Sequence, residues 1–297
     1  MKILITGSRG FVGRTFKLAL ERAGHTVVGG VSPGRHPEAL ECTMDFAKDV
    51  QTQVWLPRLQ GVDAVINTVG VLRDSRSRPI DAVHRDTPIA LFSACAQAGI
   101  KRVIQISALG IEGSPTRYAS TKRAADQHLL ELAASGGPRA VVLRPSVVFG
   151  RGGASSAMFM GLARLPVAVF PGPMLTAQVQ PVSEHDLAEA VVALLGRAVD
   201  QGGIIECTGP APLSLGDLVA SLRAQSGHGR AWVLRLPDVL TALSARLGDL
   251  APASVPWCSE TLAMLGSDNV ADPGHFEALL GHAGTPSHEL VARAWHR

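Results

Sequence analysis

Short apolar segments alternate with segments of helical periodicity along the first half of the chain. We predict strands at residues 2–6, 26–31, 40–44, 62–69, 103–107 and 140–148, and helices at residues 12–23, 88–98 and 117–134. In the first helix, for example, Val12, Phe16 and Leu20 recur at four-residue spacing. The alternation indicates an α/β fold, namely a Rossmann-type doubly wound parallel sheet with helices on both faces and right-handed crossovers.

The pattern changes after Gly150, where glycine and proline interrupt the chain repeatedly. Residues 182–195 and 204–208 again suggest a helix and a strand, whereas short helices and loops are expected from Pro210 onward. We therefore predict an NAD(P)-binding Rossmann domain over residues 1–150, to which residues 182–208 return. A smaller, mostly helical substrate or lid region is expected over residues 151–297.

Composition excludes several classes of protein. The 297 residues are 46% hydrophobic and carry a net charge of +3, without the concentrated basic stripe of a nucleic-acid-binding surface. No apolar run has the length of a transmembrane segment or of a signal-peptide core. We expect a cytoplasmic protein, with peripheral membrane association left open. The cysteines are far apart and indicate reduced thiols; they are Cys42, Cys95, Cys207 and Cys258.

A glycine-rich loop follows the first strand directly and opens the first helix. Its G-x-x-G-x-x-G pattern places Gly7 in a tight turn, Gly10 beside a bound diphosphate, and Gly13 where helix and strand pack closely. The helix N-terminus adds free N–H groups and a partial positive charge. The sequence therefore predicts a dinucleotide-binding loop made of Gly7, Ser8, Arg9, Gly10, Phe11, Val12 and Gly13.

The end of the second strand carries no carboxylate, which NAD-specific folds place there on the ribose hydroxyls. Ser32 and Arg35 occupy this stretch, and the guanidinium groups of Arg35 and Arg9 suit a ribose 2′-phosphate. We therefore predict that NADP(H) is preferred and that NAD(H) is the alternative cofactor; solvated surface positions are the alternative for both arginines. Asp45, which Phe46 follows, either accepts from the adenine amino group or caps the next helical turn.

The only tyrosine of the chain, Tyr118, lies four residues before Lys122 on a predicted helix. The two side chains share one face, with Cβ atoms about 5–6 Å apart. A free tyrosine has a pKa near ~10, and a nearby ammonium lowers that pKa by favouring the phenolate. Ser107 ends the fifth strand, and the carboxyl ends of strands line the ligand crevice of an open α/β sheet. Ser107, Tyr118 and Lys122 are therefore the candidate catalytic residues.

Together these motifs resemble the short-chain dehydrogenase/reductase superfamily, in its extended or atypical, epimerase/dehydratase-like branch. The resemblance covers residues 1–210 and also rests on segments 67–70 and 143–150. It implies hydride transfer to or from a nicotinamide, with Tyr118 as general acid/base, Lys122 on the nicotinamide ribose and Ser107 orienting the substrate. It further implies cofactor contacts from two segments; these contain Thr68, Val69, Gly70 and Val71, and Pro145, Val147 and Val148.

Segments 106–110, 180–187 and 264–270 resemble a narrower group, the bacterial relatives of the nucleotide-binding accessory subunit of respiratory complex I. In that group the cofactor can be structural. The intact pair of Tyr118 and Lys122 favours retained chemistry, whereas the short interval between Ser107 and Tyr118 argues against a regular catalytic triad.

The main hypothesis is an NADP(H)-dependent oxidoreductase that acts on a carbonyl/alcohol or sugar-nucleotide-like substrate, or an epimerase or dehydratase that recycles its cofactor. The alternative is a non-catalytic NADP(H)-binding scaffold, with a redox-sensing or assembly role. A homodimer or a protein-complex partner is left open, and no nucleic-acid partner is expected. No metal site is predicted, because the Glu-His-Asp triplet at residues 184–186 is better explained as a helix start capped by Ser183.

Overall fold

The computed structural model describes residues 1–196, 201–252, 255 and 257–295, which form two compact units. The first unit consists of Met1–Arg144 with Ala188–Ile205, and the second consists of Pro145–Leu187 with Glu206–Arg297. Each unit encloses a hydrophobic core of its own.

The strands and helices have the following bounds. The strands are β1 (Lys2–Thr6), β2 (Thr26–Val31), β3 (Glu41–Thr43), β4 (Ala64–Asn67), β5 (Arg102–Ile106), β6 (Arg139–Pro145), β7 (Val148–Phe149), β8 (Val167–Pro171), β9 (Gln178–Val179), β10 (Val182–Ser183), β11 (Gly203–Cys207), β12 (Leu213–Ser214) and β13 (Trp232–Leu236). The α-helices are α1 (Phe11–Arg22), α2 (Thr52–Trp55), α3 (Thr87–Gln97), α4 (Arg117–Ala134), α5 (Ala154–Arg164), α6 (Gly172–Thr176), α7 (Glu184–Leu195), α8 (Leu215–Gln225), α9 (Asp238–Asp249), α10 (Ser259–Met264), α11 (Gly274–Leu280) and α12 (Leu290–Trp295). A 3₁₀ turn (Leu56–Leu59) and a π-helical turn (Ala82–Asp86) precede β4 and α3. Among the residues that the structure describes, no helix is both long and apolar enough to cross a bilayer.

A seven-stranded sheet, in the order β11-β6-β5-β4-β1-β2-β3, forms the centre of the first unit. The five neighbouring pairs from β6 to β3 are all parallel. The chain builds outward from β1 in both directions, first to β2 and β3 and then to β4, β5 and β6. The predicted α/β fold, a Rossmann-type doubly wound sheet, is therefore confirmed.

The core of the first unit follows from the alternation of side chains across the parallel strands. Leu4, Val65 and Val103 are neighbours in the register of β1, β4 and β5, and all three are fully buried. They belong to one cluster with Leu91 of α3 and Leu129 of α4, whereas α1 packs against β1 and β2. Burial on both faces explains why these strands are almost continuously apolar.

The second unit combines its helices with pairs of short strands. In this unit β7 pairs with β10 and β8 with β13, both in parallel, and β9 pairs with β12 in antiparallel fashion. Its core gathers Phe149, Phe159 and Phe170 with Leu218 and Leu222 of α8. The expectation of only helices and loops after Pro210 was therefore wrong, because β12 and β13 lie in that stretch.

Two predicted elements around residue 145 also differ in the structure. The sixth strand was expected to run to residue 148, but it ends at Pro145, which has no backbone N–H to continue a ladder. Val148 instead begins β7 and pairs with Val182, so the helix expected from residue 182 starts only at Glu184. A single apolar run on the sequence thus contributes to two separate sheets.

The close contact between α1 and the preceding loop yields a stability prediction. A Cβ at position 13 would overlap the carbonyl oxygen of Gly7, which is backbone and cannot rotate away. We expect Gly13→Ala to destabilise the protein by roughly 1–3 kcal/mol, as overpacking does, measured by the urea midpoint of circular dichroism.

Gly161 provides the matched control, because it lies within α5 and a Cβ there would meet no atom within 4 Å. Gly161→Ala should stabilise by roughly 0.5–1 kcal/mol, the ordinary gain of alanine over glycine in a helix. Equal midpoints for the two variants would contradict the steric argument.

Candidate active site

The glycine-rich loop between β1 and α1 has the geometry of a phosphate-binding turn. Gly7 adopts a left-handed φ of 71°, which glycine reaches without steric cost, and the Gly10 amide donates to the Gly7 carbonyl over 2.8 Å. The helix then begins at Phe11, so the amides of Phe11, Val12 and Gly13 occupy the first three helical positions, where no intrahelical acceptor exists. These amides and the positive end of the helix suit an anionic group such as a diphosphate.

Ser8 fastens this loop to the neighbouring strand. Its backbone N–H and its hydroxyl both donate to the carbonyl oxygen of Gly30, over 3.1 and 3.2 Å, and the residue is buried. The absence of side chains at Gly29 and Gly30 makes room for Ser8 and Met44, respectively. Ser8, predicted as a cofactor contact, thus directs its donors into the protein.

A cavity of about 460 Å³ lies beside the loop in the first unit. Its walls come from the loop, from the ends of β2 and β3, from the segment after β4 and from the π-helical turn. The lining residues are Gly7, Gly30, Val31, Ser32, Pro33, Met44, Asp45, Phe46, Ala47, Lys48, Val69, Arg76, Ser77, Arg78 and Val83. Five of the predicted cofactor residues are among them: Gly7, Ser32, Asp45, Phe46 and Val69. The cavity therefore adjoins the loop amides, in the part of the fold where the sequence predicts that the cofactor binds.

The cavity also contains basic residues that the sequence reasoning missed. Lys48, Arg76 and Arg78 line it, and the Arg78 guanidinium donates to the Gly70 carbonyl over 3.4 Å. The one carboxylate in the lining, that of Asp45, lies 3.7 Å from the Lys48 ammonium. The signal on the sequence was the arginine-rich stretch at residues 73–78, directly after the fourth strand.

Arg9 is held by acidic residues. Its guanidinium forms two hydrogen bonds with Glu41 and one, of 3.0 Å, with Glu38. The Glu41 side chain is buried, and its hydrogen bond with Arg9 keeps the pKa of the carboxyl below its ordinary value. The second predicted phosphate ligand, Arg35, is exposed and is not among the residues that line the cavity.

Asp45 and Phe46 shape the floor of the cavity at the end of β3. Asp45 accepts a hydrogen bond from the Ala47 amide over 3.1 Å, as a residue that caps a turn does. The ring of Phe46 is buried edge-on against Trp55, and the Phe46 carbonyl oxygen accepts a hydrogen bond from the Thr87 hydroxyl over 3.0 Å. The two roles predicted for Asp45 are compatible, because the same carboxylate also lines the cavity.

A row of buried polar side chains fixes the segment after β4. Thr6, Asn67 and Gln105 are neighbours in the sheet register, and hydrogen bonds of 2.5 and 2.7 Å join them. Thr68 adds a hydrogen bond from its hydroxyl to the Thr6 carbonyl over 2.6 Å. These bonds hold residues 68–71, the predicted cofactor segment, at the carboxyl edge of the sheet.

His84 of the π-helical turn links this segment to α4. Its Nε2 accepts a hydrogen bond from the Val71 amide over 2.9 Å, which leaves the proton of the neutral ring on Nδ1, 3.4 Å from the Thr121 hydroxyl. Burial and the charges of Lys122 and Arg78 lower the pKa of His84 to about 2. A neutral imidazole therefore packs edge-on against Tyr118, with ring centroids 5.2 Å apart.

Lys122 lies one helical turn after Tyr118 and is buried. Its ammonium donates to the Ile106 carbonyl over 3.3 Å and lies 5.5 Å from the centre of the Tyr118 ring. Burial lowers the pKa of Lys122 to about 8, and the Asp126 carboxylate opposes that shift. The structure thus brings Tyr118 and Lys122 together next to Gly70. A Cβ built at Gly70 would lie 3.8 Å from the Lys122 Nζ and 3.6 Å from the His84 Nε2.

Ser107 is part of a buried ionic cluster below this pair. Its hydroxyl donates to Asp126 over 2.7 Å, and Arg144 donates to the same carboxylate oxygen over 3.2 Å. Burial raises the pKa of Asp126, although the hydrogen bond from Ser107 and the charges of Lys122 and Arg144 act in the opposite direction. Because the Ser107 proton is directed to Asp126, only an oxygen lone pair can face a substrate.

Pro145, Val147 and Val148 belong to the second unit. Pro145 ends β6, the Val147 carbonyl accepts from the Val182 amide over 3.0 Å, and Val148 pairs with Val182 in β7. Their contacts with a nicotinamide stay a prediction. In the same unit, Glu184 accepts from the Arg151 amide and Asp186 from Thr285, so these two acids of the triplet at residues 184–186 hold loops in place.

A Rossmann-type parallel sheet, whose first strand leads through a glycine-rich loop into a helix, defines the chain as a protein of the dinucleotide-binding class. Its family is shown by direct comparison: the chain belongs to the NAD dependent epimerase/dehydratase family, whose model matches residues 3–207. The predicted branch of the superfamily is thereby confirmed. The narrower resemblance to relatives of a complex I subunit stays a prediction.

Individual relatives are more distant. The chain is 28% identical over 220 residues to a UDP-glucose 4-epimerase of Azospirillum brasilense, covering 66% of this chain and 58% of the epimerase. It is 28% identical over 196 residues to a ceramide reductase of Caulobacter vibrioides, covering 64% and 60%, so it spans less than two thirds of either relative. A structure of MoeE5 in complex with UDP-glucose and NAD shares the fold, with a TM-score of 0.72, 19% identity and coverage of 99% and 97%.

The depressed pKa of Lys122 predicts how stability depends on pH. Between about pH 8 and the ordinary lysine value of ~10.4, the unfolded chain holds a proton that the folded chain has lost. Stability of the unliganded protein should therefore rise over this interval, by up to about 3 kcal/mol relative to Lys122→Met. Urea unfolding at a series of pH values measures it.

Lys101→Met is the matched control, because Lys101 is exposed and Lys122 is buried. This variant should follow the wild-type pH profile. A profile of Lys122→Met parallel to that of the wild type would show that Lys122 titrates normally.

Proposed function

We propose that the chain is an NADP(H)-dependent oxidoreductase in which Tyr118 exchanges a proton with a substrate oxygen. The observation that carries the proposal is the cluster of Tyr118, Lys122 and His84 beside Gly70, at the carboxyl edge of the sheet. In such folds this edge is where ligands bind. The nicotinamide, when bound, supplies or accepts the hydride.

The surroundings of Tyr118 support a role as general acid/base. The Lys122 ammonium, 5.5 Å from the ring centre, favours the phenolate and so eases proton loss from a group whose free pKa is near ~10. His84 is neutral and adds no second positive charge. Tyr118 then donates its proton when a carbonyl is reduced and accepts one when an alcohol is oxidised.

The preference for NADP(H) rests on the basic residues of the cavity. Arg76 and Lys48 line it near Ser32, at the end of β2, where no carboxylate occupies the usual ribose position. Arg9, by contrast, is held by Glu41 and Glu38, which offset its charge. The Lys48 ammonium likewise lies 3.7 Å from the Asp45 carboxylate. We therefore assign the ribose 2′-phosphate to Arg76 in place of Arg9 and Arg35.

The substrate class follows from the relatives and stays broad. One relative is named for a sugar nucleotide and the other for ceramide, and both compounds carry secondary alcohols. A secondary alcohol or the corresponding ketone is the group that a tyrosine proton and a nicotinamide hydride can interconvert. We propose a substrate of this kind, carbonyl/alcohol or sugar-nucleotide-like.

One observation favours the non-catalytic alternative, a cofactor-binding scaffold. Ser107 is buried and gives its proton to Asp126, so it cannot donate a hydrogen bond to a substrate carbonyl. The scaffold would use the same loop and cavity to bind NADP(H), and Tyr118 would have no role in its function.

Substitution of Tyr118 separates the two functions. If the chain is an enzyme, Tyr118→Phe should lower kcat by roughly 10²–10⁴-fold, the range for loss of a general acid/base, while the Kd for NADPH changes little. The assay follows NADPH absorbance with a panel of UDP-sugars, long-chain ketones and small ketones. Ser120→Ala, an exposed neighbour on α4, is the control. Cofactor binding without turnover on any compound of the panel would favour the scaffold.

The cofactor assignment has its own test. Arg76→Ala should weaken binding of NADPH about tenfold, the equivalent of one charge-assisted hydrogen bond, and change the Kd for NADH much less. Arg35→Ala is the matched comparison and should affect neither. If Arg76→Ala weakens the binding of NADPH and of NADH equally, Arg76 does not recognise the 2′-phosphate. If Arg35→Ala weakens NADPH binding more than Arg76→Ala does, the 2′-phosphate binds at Arg35, as the sequence predicts.

A further inference from the structure

Residues 75–78, between β4 and the π-helical turn, form a tight turn that we call the basic turn. The Arg78 amide donates to the Ser75 carbonyl over 3.2 Å and to the Ser75 hydroxyl over 3.1 Å, and the two residues form an isolated β-bridge. Arg76 and Ser77 are therefore the two central residues of the turn. Because both line the cavity beside the glycine-rich loop, the position of the turn determines where Arg76 can meet a ligand.

Asp74, the residue before the basic turn, fastens the base of the turn. Its Oδ1 accepts a hydrogen bond from the Ile80 amide over 2.8 Å, which draws the two ends of the turn together. Its Oδ2 accepts a hydrogen bond from the Arg117 guanidinium, also over 2.8 Å. One carboxylate therefore connects both ends of the basic turn to the start of α4.

Arg117 binds a second carboxylate as well. Its Nη1 donates to Asp74 and its Nη2 donates to Asp81, the last residue before the π-helical turn. The hydrogen bond from Arg117 keeps the pKa of the Asp81 carboxyl below its ordinary value. The donors of a guanidinium form a rigid, planar fork, so Arg117 holds the two carboxylates at one spacing. Arg85 also lies 3.6 Å from Asp81, but its other ion pair is with Asp86.

The position of Arg117 within α4 gives these ion pairs a physical reason. Arg117 is the first residue of the helix, directly before Tyr118, and the first turn contains no acidic residue. A cation at a helix N-terminus is unfavourable, because the N-terminus already carries a partial positive charge. Asp74 and Asp81 supply the negative charge that the helix lacks. The same three side chains therefore stabilise both the start of the helix and the base of the basic turn.

We propose that Arg117 is a positioning residue for NADP(H) binding: by bridging Asp74 and Asp81, it holds the basic turn where Arg76 meets the ribose 2′-phosphate. This inference rests on the proposed function, in which Arg76 binds that phosphate. Arg117 is not among the residues that line the cavity, so it acts through the turn. The preference for NADPH over NADH therefore depends on an arginine that is not itself part of the cavity.

Hydrogen exchange of the full-length, unliganded protein tests whether Arg117 holds the turn. Arg117→Ala should raise the exchange rates of the Arg78 and Ile80 amides roughly threefold to fivefold, the equivalent of a surface ion pair. Arg85→Ala is the matched control, because it removes a positive charge beside Asp81 and leaves the bond between Arg117 and Asp74 in place. Exchange in residues 74–80 of this control should equal that of the wild type.

Titration with NADPH and with NADH tests the link to the cofactor. Arg117→Ala should raise the Kd for NADPH by a similar factor and change the Kd for NADH much less, whereas Arg85→Ala should change neither. In the double variant Arg76→Ala/Arg117→Ala, NADPH should bind no more weakly than in Arg76→Ala, because Arg117 acts through Arg76. Arg117→Lys keeps the charge but lacks the fork, so its Kd should lie between those of the wild type and Arg117→Ala. Thermal melting identifies a variant that has lost its fold.

Several results would overturn the proposal. Unchanged exchange in residues 74–80 of Arg117→Ala would show that Arg117 does not hold the turn. An unchanged Kd for NADPH, an equal loss for NADH, or fully additive losses in the double variant would show that Arg117 does not act through Arg76. If Arg76→Ala leaves the preference for NADPH intact, the role of Arg117 fails together with the cofactor assignment. Faster exchange in Arg117→Ala would then identify the assignment as the error.

Discussion

The approach of α1 to the turn at Gly7 is the constraint on which the candidate site depends. Gly13 packs against the Gly7 carbonyl so closely that no Cβ fits between them. This contact sets the axis of the helix, and the axis determines where the amides of Phe11 and Val12 are presented. A helix shifted outward by one side chain would move its positive end away from the cavity beside the loop, and the electrostatic attraction for a diphosphate falls off within the first turn.

A second constraint is the buried charge below Tyr118. Burial of any one of the three ionisable groups, Lys122, Asp126 or Arg144, would by itself cost free energy. Hydrogen bonds and the opposite charge of a neighbour offset that cost. Such a cluster has little freedom to rearrange, so the Lys122 ammonium is held in one position relative to the Tyr118 ring. The Ser107 hydroxyl donates a hydrogen bond to Asp126 of this cluster. Ser107 therefore supports the ionic network in addition to lying next to the site.

The sequence revealed what is local and missed what folding brings together. The strand–helix alternation, the bounds of α4 and the Tyr118–Lys122 pair could be predicted, because each depends on spacings of a few residues. The pairing of Arg9 with Glu41 and the contact of His84 with Val71 could not, because residues far apart in the chain meet only in the fold. The basic wall of the cavity was missed for another reason: Arg76 lies in a loop, and periodicity carries no information about where a loop folds.

The orientation of α9 illustrates how packing can override the usual amphipathic rule. Turning the helix by half a turn would bury Leu243 and Leu247, which hydrophobic transfer alone favours by roughly 1.5–3 kcal/mol for each side chain. The contact of Gly248 with the Trp257 carbonyl forbids that rotation, because no leucine fits where a glycine Cβ already overlaps backbone. Steric fit on the inner face therefore decides which residues face out. The exposure of these leucines is then a fixed property of the unit, set by the backbone contact on the inner face of the helix.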